Sequence, residues 1–264
     1  MKLLALAIKD WRSFFSSPTA WIILLVFSLL FGFVFTNSLF NYQVESVRYL
    51  QQSQLPNLPE QYRLSPPNAY WMFGGMQMFL GIILLFMMPM ITMRLFAEEK
   101  KQGTMELLLT LPFRSVELVM GKFLSGLGLL FLLLLLSSLF AGILIWVSKP
   151  TPSVLPFLNG YLGLLLLGGS YLAIGMFVSS CTSSQVVAGI ISFGVALFFY
   201  ILHGIAQQAS PAIQPFLFSV SIIDHLSSFI EGIFETKDLI YFLSIIVLGL
   251  FLTHRSLQTQ SGRT

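Results

Sequence analysis

The sequence predicts an all-α, polytopic membrane protein with six transmembrane helices in a single domain, residues 1–264. Hydrophobic residues make up 56% of the chain and charged residues only 9%, whereas a soluble domain carries about 25% charged residues. The mean hydropathy is +0.83, and the apolar residues form runs that match the roughly 20 residues needed to cross a bilayer. Lipid is therefore the solvent of most of this chain, and little of it is left for a water-soluble domain.

The first 17 residues predict a short helix in the membrane interface. Leu4, Ile8, Trp11 and Phe15 recur at the spacing of one helix face, as in helices that lie in the interfacial plane. Charged residues are interleaved among them and no small-residue cleavage site follows, so we do not expect a cleaved signal peptide. Pro18 then permits a turn into the first span.

Six apolar runs predict the six spans. They cover approximately residues 19–40, 74–96, 118–147, 156–179, 185–207 and 238–253. Ser115 and Glu117 suit the start of the third span, because serine caps a helix and an acid is favoured by the helix dipole there. The Ser-Ser-Cys-Thr-Ser-Ser stretch at 179–184 predicts a brief turn between spans four and five.

Two longer connections, 41–73 and 208–237, are expected on the outer side of the membrane. The first is polar and contains four prolines, which predicts a loop with at most short helices. In the second, apolar residues repeat at helical spacing opposite a polar set. The apolar residues are Ile222, Leu226, Phe229, Ile230 and Ile233, and the polar ones are Asp224, His225, Ser228, Glu231 and Glu235. This pattern predicts an amphipathic segment half-buried at the membrane surface.

The distribution of basic residues predicts that both termini are cytoplasmic, because cytoplasmic loops retain lysine and arginine. Of the 14 basic residues, the ten on the predicted inner side are Lys2, Lys9, Arg12, Arg94, Lys100, Lys101, Arg114, Lys122, Arg255 and Arg263. The four tryptophans agree with this topology, since each falls at a span end or in the interfacial helix.

Enzymatic motifs are largely missing, so we expect no catalytic and no metal-ligating residues. The chain has no nucleotide-binding G-x-x-x-x-G-K-[ST] loop, so any ATP that drives it binds another chain. His203 is interpreted as the ionisable residue of a span, at its outer end, reaching headgroups or a neighbouring loop. The seven methionines between Met72 and Met93 permit a Cu(I) path, but core packing is the preferred interpretation. The glycines of span four are likewise interpreted as close-packing positions.

Charge is concentrated in one predicted cytoplasmic loop, of which residues 98–112 form the core. It opens with Glu98, Glu99 and two lysines, and Gly103 breaks the pattern. Thr104 can cap a short helix that Pro112 terminates. The apolar residues of that helix are unusual for a cytoplasmic loop, and favour a helix that docks in a groove of a partner. The alternative is that it lies on the lipid surface.

This loop resembles that of the membrane subunit of type-2 ABC exporters: acids, Gly-Thr, an acid, a leucine run, a proline and Gly-Lys. The matching residues are Glu98, Glu99, Gly103, Thr104, Glu106, Leu107, Leu108, Leu109, Pro112, Gly121 and Lys122. The resemblance extends over nearly the whole chain. Residues 221–244 are similar to the gliding-motility-associated and nitrous-oxide-reductase-maturation permeases.

The resemblance implies a permease subunit in the inner membrane of a bacterial cell. A second permease copy or a related permease would complete the unit, on cytoplasmic ABC ATPase subunits that bind ATP and Mg²⁺. Residues 98–112 would be the coupling helix, and the N-terminal helix would be the connecting elbow of the permease. Residues 211–236 would form an outer re-entrant element, with Asp224, His225, Phe229 and Glu231 as gate candidates. The 41–73 connection would be the contact for an auxiliary periplasmic protein.

Three functions remain open at this point. The first is an ATP-driven exporter permease. The second is a mechanotransmission or assembly scaffold, which would pass ATPase-driven motion to an auxiliary envelope protein without moving cargo. The third is a membrane-embedded enzyme, which the missing nucleophile and metal motifs disfavour.

Overall fold

A computed structural model describes residues 2–54, 69–105, 115–147 and 154–261, without the side chains of 2–5, 69–71, 144–147, 260 and 261. These segments contain ten helices and no strand. The helices are α1 Lys2–Ser16, α2 Pro18–Ser53, α3 Ala69–Thr92, α4 Ala97–Lys101, α5 Ser115–Val147, α6 Val154–Cys181, α7 Gln185–Gln208, α8 Gln214–Val220, α9 Ile222–Ile230 and α10 Thr236–Ser261.

Within the part of the chain that the structure describes, six helices are long and apolar enough to cross a membrane: α2, α3 (with α4 continuing it), α5, α6, α7 and α10. The predicted all-α fold with six spans is therefore confirmed. Because an even number of spans alternates in direction, α1 and the end of α10 lie at the same end of the bundle. We call that end the termini side and the opposite end, which carries α8 and α9, the α9 side.

Helix α6 is the centre of the bundle. It contacts α3, α5, α7, α9 and α10, and 15 of its 28 residues are buried. Its glycines allow this close approach: a Cβ on Gly168 would lie 2.6 Å from Leu130 Cδ2, and one on Gly163 would lie 2.6 Å from Phe229 Cβ. The close-packing interpretation of the span-four glycines is confirmed.

Helix α2 corrects the predicted boundary of the first span. The sequence predicts a span ending near residue 40 and a loop from 41, but α2 continues to Ser53 without interruption. Residues 41–53 contain neither proline nor glycine, so the polar composition there marks the exit from lipid and not the end of the helix. At about 1.5 Å per residue, these residues extend α2 by roughly 20 Å. In the rest of the predicted 41–73 loop, residues 55–68 lie outside the described residues, and residues 69–73 already belong to α3, which begins earlier than the predicted span start at 74.

Smaller differences concern other helix ends. The predicted turn at 179–184 begins later, because α6 continues to Cys181 and Ser184 then caps α7 by accepting from the Val187 amide at 3.5 Å. Helix α10 runs to Ser261, beyond the predicted end at 253. Met76, Met87 and Met88 are buried in the apolar core, as the packing interpretation of the methionines predicts.

Candidate functional site

On the termini side, one buried lysine joins three helices. Lys122 of α5 has only 4% of its side chain exposed, and its Nζ lies 2.7 Å from Glu99 Oε1 of α4 and 3.6 Å from Asp10 Oδ2 of α1. The ammonium also lies 5.2 Å from the centre of the Phe96 ring. A buried cation between two carboxylates holds these helices in one arrangement, because removing any partner leaves an uncompensated charge.

Helix α4 is also fixed to the end of α6. The backbone N–H groups of Phe96 and Ala97 donate to Ser179 Oγ at 3.2 and 3.1 Å, and Lys100 Nζ donates to the Ser180 carbonyl. Helix α4 has only five residues, too few to hold a position by itself. Its place is therefore set by α6 and by the Lys122 ion pairs.

A partly open cavity of about 450 Å³, lined by charged and apolar side chains, lies beside this junction. Its lining comes from α1, α2, α5 and the α3–α4 region, and includes Lys9, Asp10, Arg94, Glu98, Glu99 and Lys122. Arg94 Nη1 donates to Thr19 Oγ1 at 2.7 Å, which ties the end of α3 to the start of α2. The cavity is lined by three basic and three acidic side chains, so it has no single-sign field to select a small ion.

Only some of the predicted coupling residues lie within the described part of the chain. Glu98 accepts a bond from Gln102 at 3.4 Å, and Gly103 turns the chain with φ 70°. Thr104 Oγ1 donates to the Glu99 carbonyl at 3.3 Å. Glu106, Leu107, Leu108, Leu109 and Pro112 lie outside the described residues, and the predicted helix there stays a prediction.

Glu99 has a different setting from the one its motif suggests. The sequence groups it with residues facing a partner, but its carboxylate forms an ion pair with Lys122 inside the permease. Sequence reasoning also missed Asp10 and Ser179, which complete the junction. Only the unusual position of Lys122, an ionisable residue within an apolar helix, was a signal for it.

The N-terminal helix packs on the start of α5, but not through all the residues predicted. Trp11 and Phe15 pack against the core, whereas Ile8 is exposed. The missed contact is that of Leu6, which is buried. Its side chain packs on Gly121, where an added Cβ would lie only 2.6 Å from Leu6 Cδ2. Leu4 is in α1, but its side chain is not described.

On the α9 side, a second polar cluster holds α9 in place. His225 Nδ1 lies 2.6 Å from Asp238 Oδ1 of α10, and His225 Nε2 lies 3.1 Å from the Ser219 carbonyl of α8. The His225 ring stacks on Tyr241 at 3.9 Å, and the Tyr241 hydroxyl donates to the Val220 carbonyl at 2.6 Å.

Helix α7 makes a similar contact with α9. His203 Nδ1 lies 2.9 Å from Asp224 Oδ1, and the Gln207 side-chain nitrogen lies 2.9 Å from His203 Nε2. The interpretation that His203 reaches a neighbouring connection is thus supported. Of the other gate candidates, Phe229 is buried against Phe242, and Glu231 is exposed at the end of α9.

His225 corrects the predicted amphipathic pattern. The sequence places it on the polar face, yet it is buried on the same side of α9 as Ile222, Leu226 and Phe229. Burial is tolerated because Asp238, only 1% exposed, supplies a hydrogen-bonding carboxyl group from α10 at 2.6 Å. Asp238 also corrects the expectation that His203 is the ionisable residue of the spans.

No group of three or more His, Cys, Asp or Glu side chains within the described residues is placed to hold a metal ion. Ser125 and Ser170, which lie near glycines within the spans, donate to the backbone carbonyls of Lys122 and Leu166 at 2.7 and 2.9 Å. Ser170 Oγ also lies 3.4 Å from the Phe242 carbonyl of α10.

The fold defines a multi-pass helical membrane protein. In it, the short helix α4 on the termini side and the short helix α9 on the α9 side are both fixed to the central span, α6. The chain belongs to the ABC-2 family transporter proteins, whose family model matches residues 4–259. It is therefore a permease component of an ABC transporter, a class that works with ABC ATPase subunits. No curated protein sequence matches the chain.

Proposed function

We propose that this chain is the membrane subunit of an ATP-driven exporter, and that it works as a dimer with separate cytoplasmic ATPase subunits. In this arrangement the termini side faces the cytoplasm, the chain lies in the inner membrane, and ATP with Mg²⁺ binds the ATPase. The family match over residues 4–259 supports the transporter class. The bias of basic residues toward the termini side supports the orientation.

The observation that carries the proposal is that α6 is bound to α4 at one end and to α9 at the other. At the termini side, Ser179 accepts the two α4 backbone donors. Twenty residues earlier, Asn159 Nδ2 donates to the Gly232 carbonyl just after α9 at 3.1 Å, and Gly163 lies against Phe229. Twenty helical residues cover about 30 Å, the thickness of the hydrocarbon core.

This geometry supports a rigid-body mechanism. When the ATPase subunits close on ATP, they push the segment that follows α4, and α4 transfers the displacement to α6 through Ser179 and Ser180. Helix α6 then shifts relative to α9, which covers the outer end of the bundle. Coupling of this kind needs only that the partner contacts differ between two states of the permease.

Replacing Leu107 and Leu108 with glutamate is expected to abolish copurification of the ATPase and ATP-driven transport. Two carboxylates cannot enter an apolar groove without a large desolvation cost. The matched control is glutamate at Val47 and Leu50, two exposed apolar residues of the α2 extension. The control should retain the ATPase. Equal ATPase recovery from both variants would contradict the assignment of the coupling segment.

The α2 extension supports a second candidate function, the mechanotransmission or assembly scaffold. Residues 41–53 extend α2 beyond the predicted first span, and they expose Val47 and Leu50. We infer that this stretch leaves the membrane on the α9 side, where exposed apolar side chains fit an auxiliary envelope protein. If glutamate at Val47 and Leu50 releases such a protein and leaves cargo movement unchanged, the scaffold and the exporter are separate activities.

A further inference from the structure

Both ring nitrogens of His225 face oxygen acceptors. Nε2 lies 3.1 Å from the Ser219 carbonyl, and Nδ1 lies 2.6 Å from a carboxylate oxygen of Asp238. A neutral imidazole has one N–H and can donate to only one of them. Both contacts form only when the pair holds one further proton, either as imidazolium beside carboxylate or as imidazole beside carboxylic acid.

His203 makes superficially similar contacts but needs no further proton. Its Nε2 faces the side-chain nitrogen of Gln207, which can only donate, so Nε2 accepts. The single N–H of a neutral ring then lies on Nδ1 and donates to Asp224 Oδ1 at 2.9 Å. The two histidines that hold α9 therefore differ in the number of protons their contacts require.

The extra proton holds three elements together. Ser219 belongs to α8, His225 to α9 and Asp238 to α10, so the contacts of one ring fix the α8–α9 segment onto α10. Asp238 is 1% exposed, and its Oδ2 has no hydrogen-bond partner among the described residues. If the pair loses its proton, a lone pair of His225 must face either the carboxylate or the carbonyl, which weakens the attachment.

We propose that His225 and Asp238 form a proton-binding site that latches α9 to α10, and that the latch weakens when the site gives up its proton. The biological meaning of this latch rests on the proposed function, in which α9 covers the outer end of the bundle and acts as its gate. Acidity on the α9 side would keep the gate shut, and its loss as the pH rises would let α9 leave the bundle.

Other titratable groups surround α9 and have to be separated from this site. They are Tyr171 on α6, Tyr200 and His203 on α7, Asp224 on α9 itself, Lys237 and Tyr241 on α10, and Glu231 and Glu235 in the turn that joins α9 to α10. Helices α3 and α8, which also contact α9, contain no Asp, Glu, His, Lys or Arg. The other histidine pair, His203 with Asp224, is the group most similar to this site, and it is separated from it by a variant of its own.

The latch can be measured with a buried thiol. In a Cys181→Ser background, Leu226→Cys places a single cysteine on the buried face of α9, and a water-soluble maleimide reports its exposure in full-length protein in lipid nanodiscs. The rate is divided by that of Ile233→Cys, an exposed position, which removes the pH dependence of the thiol itself. We expect this ratio to rise at least about tenfold from roughly pH 5 to 9.

Asp238→Asn gives the sharpest result. The amide nitrogen of the asparagine can donate to Nδ1 of a neutral His225, while the Nε2–H group of the same ring donates to the Ser219 carbonyl. Both contacts then form without an extra proton. The ratio should stay low at every pH, whereas a merely structural role for Asp238 would make α9 more exposed throughout. His225→Leu has no donor for either acceptor, and should give a high ratio that no longer depends on pH.

His203→Gln is the control. It leaves His225 and Asp238 unchanged, and its labelling ratio should depend on pH as it does in the parent protein. A flat ratio in the parent protein would overturn the proposal, as would a pH response that survives in Asp238→Asn or disappears in His203→Gln. These measurements need neither ATPase nor cargo. Failure here is thus distinct from failure of the exporter assignment, which would show as retained ATPase in the Leu107 and Leu108 variant.

Discussion

Lys122→Met is expected to abolish ATP-driven transport and to lower the stability of the permease strongly. The ammonium is buried between Glu99 and Asp10, and removing it leaves two carboxylates facing each other without a cation. Breaking a buried pair in this way costs about 3–5 kcal/mol. Because Glu99 is on α4, the loss also frees α4 from α1 and α5, so a displacement of α4 is no longer passed on.

The control is Arg48→Met, which removes an exposed basic side chain from the α2 extension and should leave stability and transport near the parent values. A triple variant, Lys122→Met with Glu99→Gln and Asp10→Asn, removes the uncompensated charges and should recover most of the stability. Thermal unfolding in nanodiscs and transport in vesicles measure the two effects. Parent-like melting and transport in Lys122→Met would show that the ion pairs do not hold the junction.

Gly249→Val is expected to force α10 away from α6 and to destabilise the fold. A Cβ at Gly249 would lie 2.9 Å from the backbone carbon and oxygen of Ala173. Backbone cannot rotate out of the way as a side chain can, so the two helices must separate. Overpacking usually costs about 1–3 kcal/mol, and this backbone contact places Gly249→Val at the upper end, a fall in Tm of roughly 10 °C.

Gly194→Val is the matched control, since a Cβ there meets nothing within 4 Å. Both changes put the same side chain in a membrane-spanning helix, so lipid and helix propensity act on both. Only the contact with α6 differs. Equal melting temperatures for the two variants would contradict the close approach of α10 to the central helix.

Hydropathy predicted the spans well because it reports which residues meet lipid. It predicted helix ends less well, since a helix does not stop where lipid stops: α2 continues to Ser53 through polar residues that contain no proline or glycine. The close packing of α6 was also predictable, because clustered glycines in a span have few other uses.

The partners of buried charges were not predictable, since they join residues far apart in the chain. Lys122 finds Asp10 across 112 positions, and His225 finds Asp238 across 13. Periodicity put His225 on the polar face of α9, and only the position of α10 shows that this face is buried there. Sequence reasoning thus named His225 among the gate candidates, but it missed Asp238, the carboxyl group that explains why this histidine is buried.

We propose that α6 transmits ATP-driven motion from α4 to α9. The most direct test is the labelling rate of the Leu226→Cys thiol in the permease reconstituted with its ATPase, with and without ATP. We predict that ATP changes this rate several-fold, and that the change is lost in Lys122→Met although ATP is still hydrolysed. A labelling rate that is the same with and without ATP, in a complex that hydrolyses ATP and transports, would contradict the account.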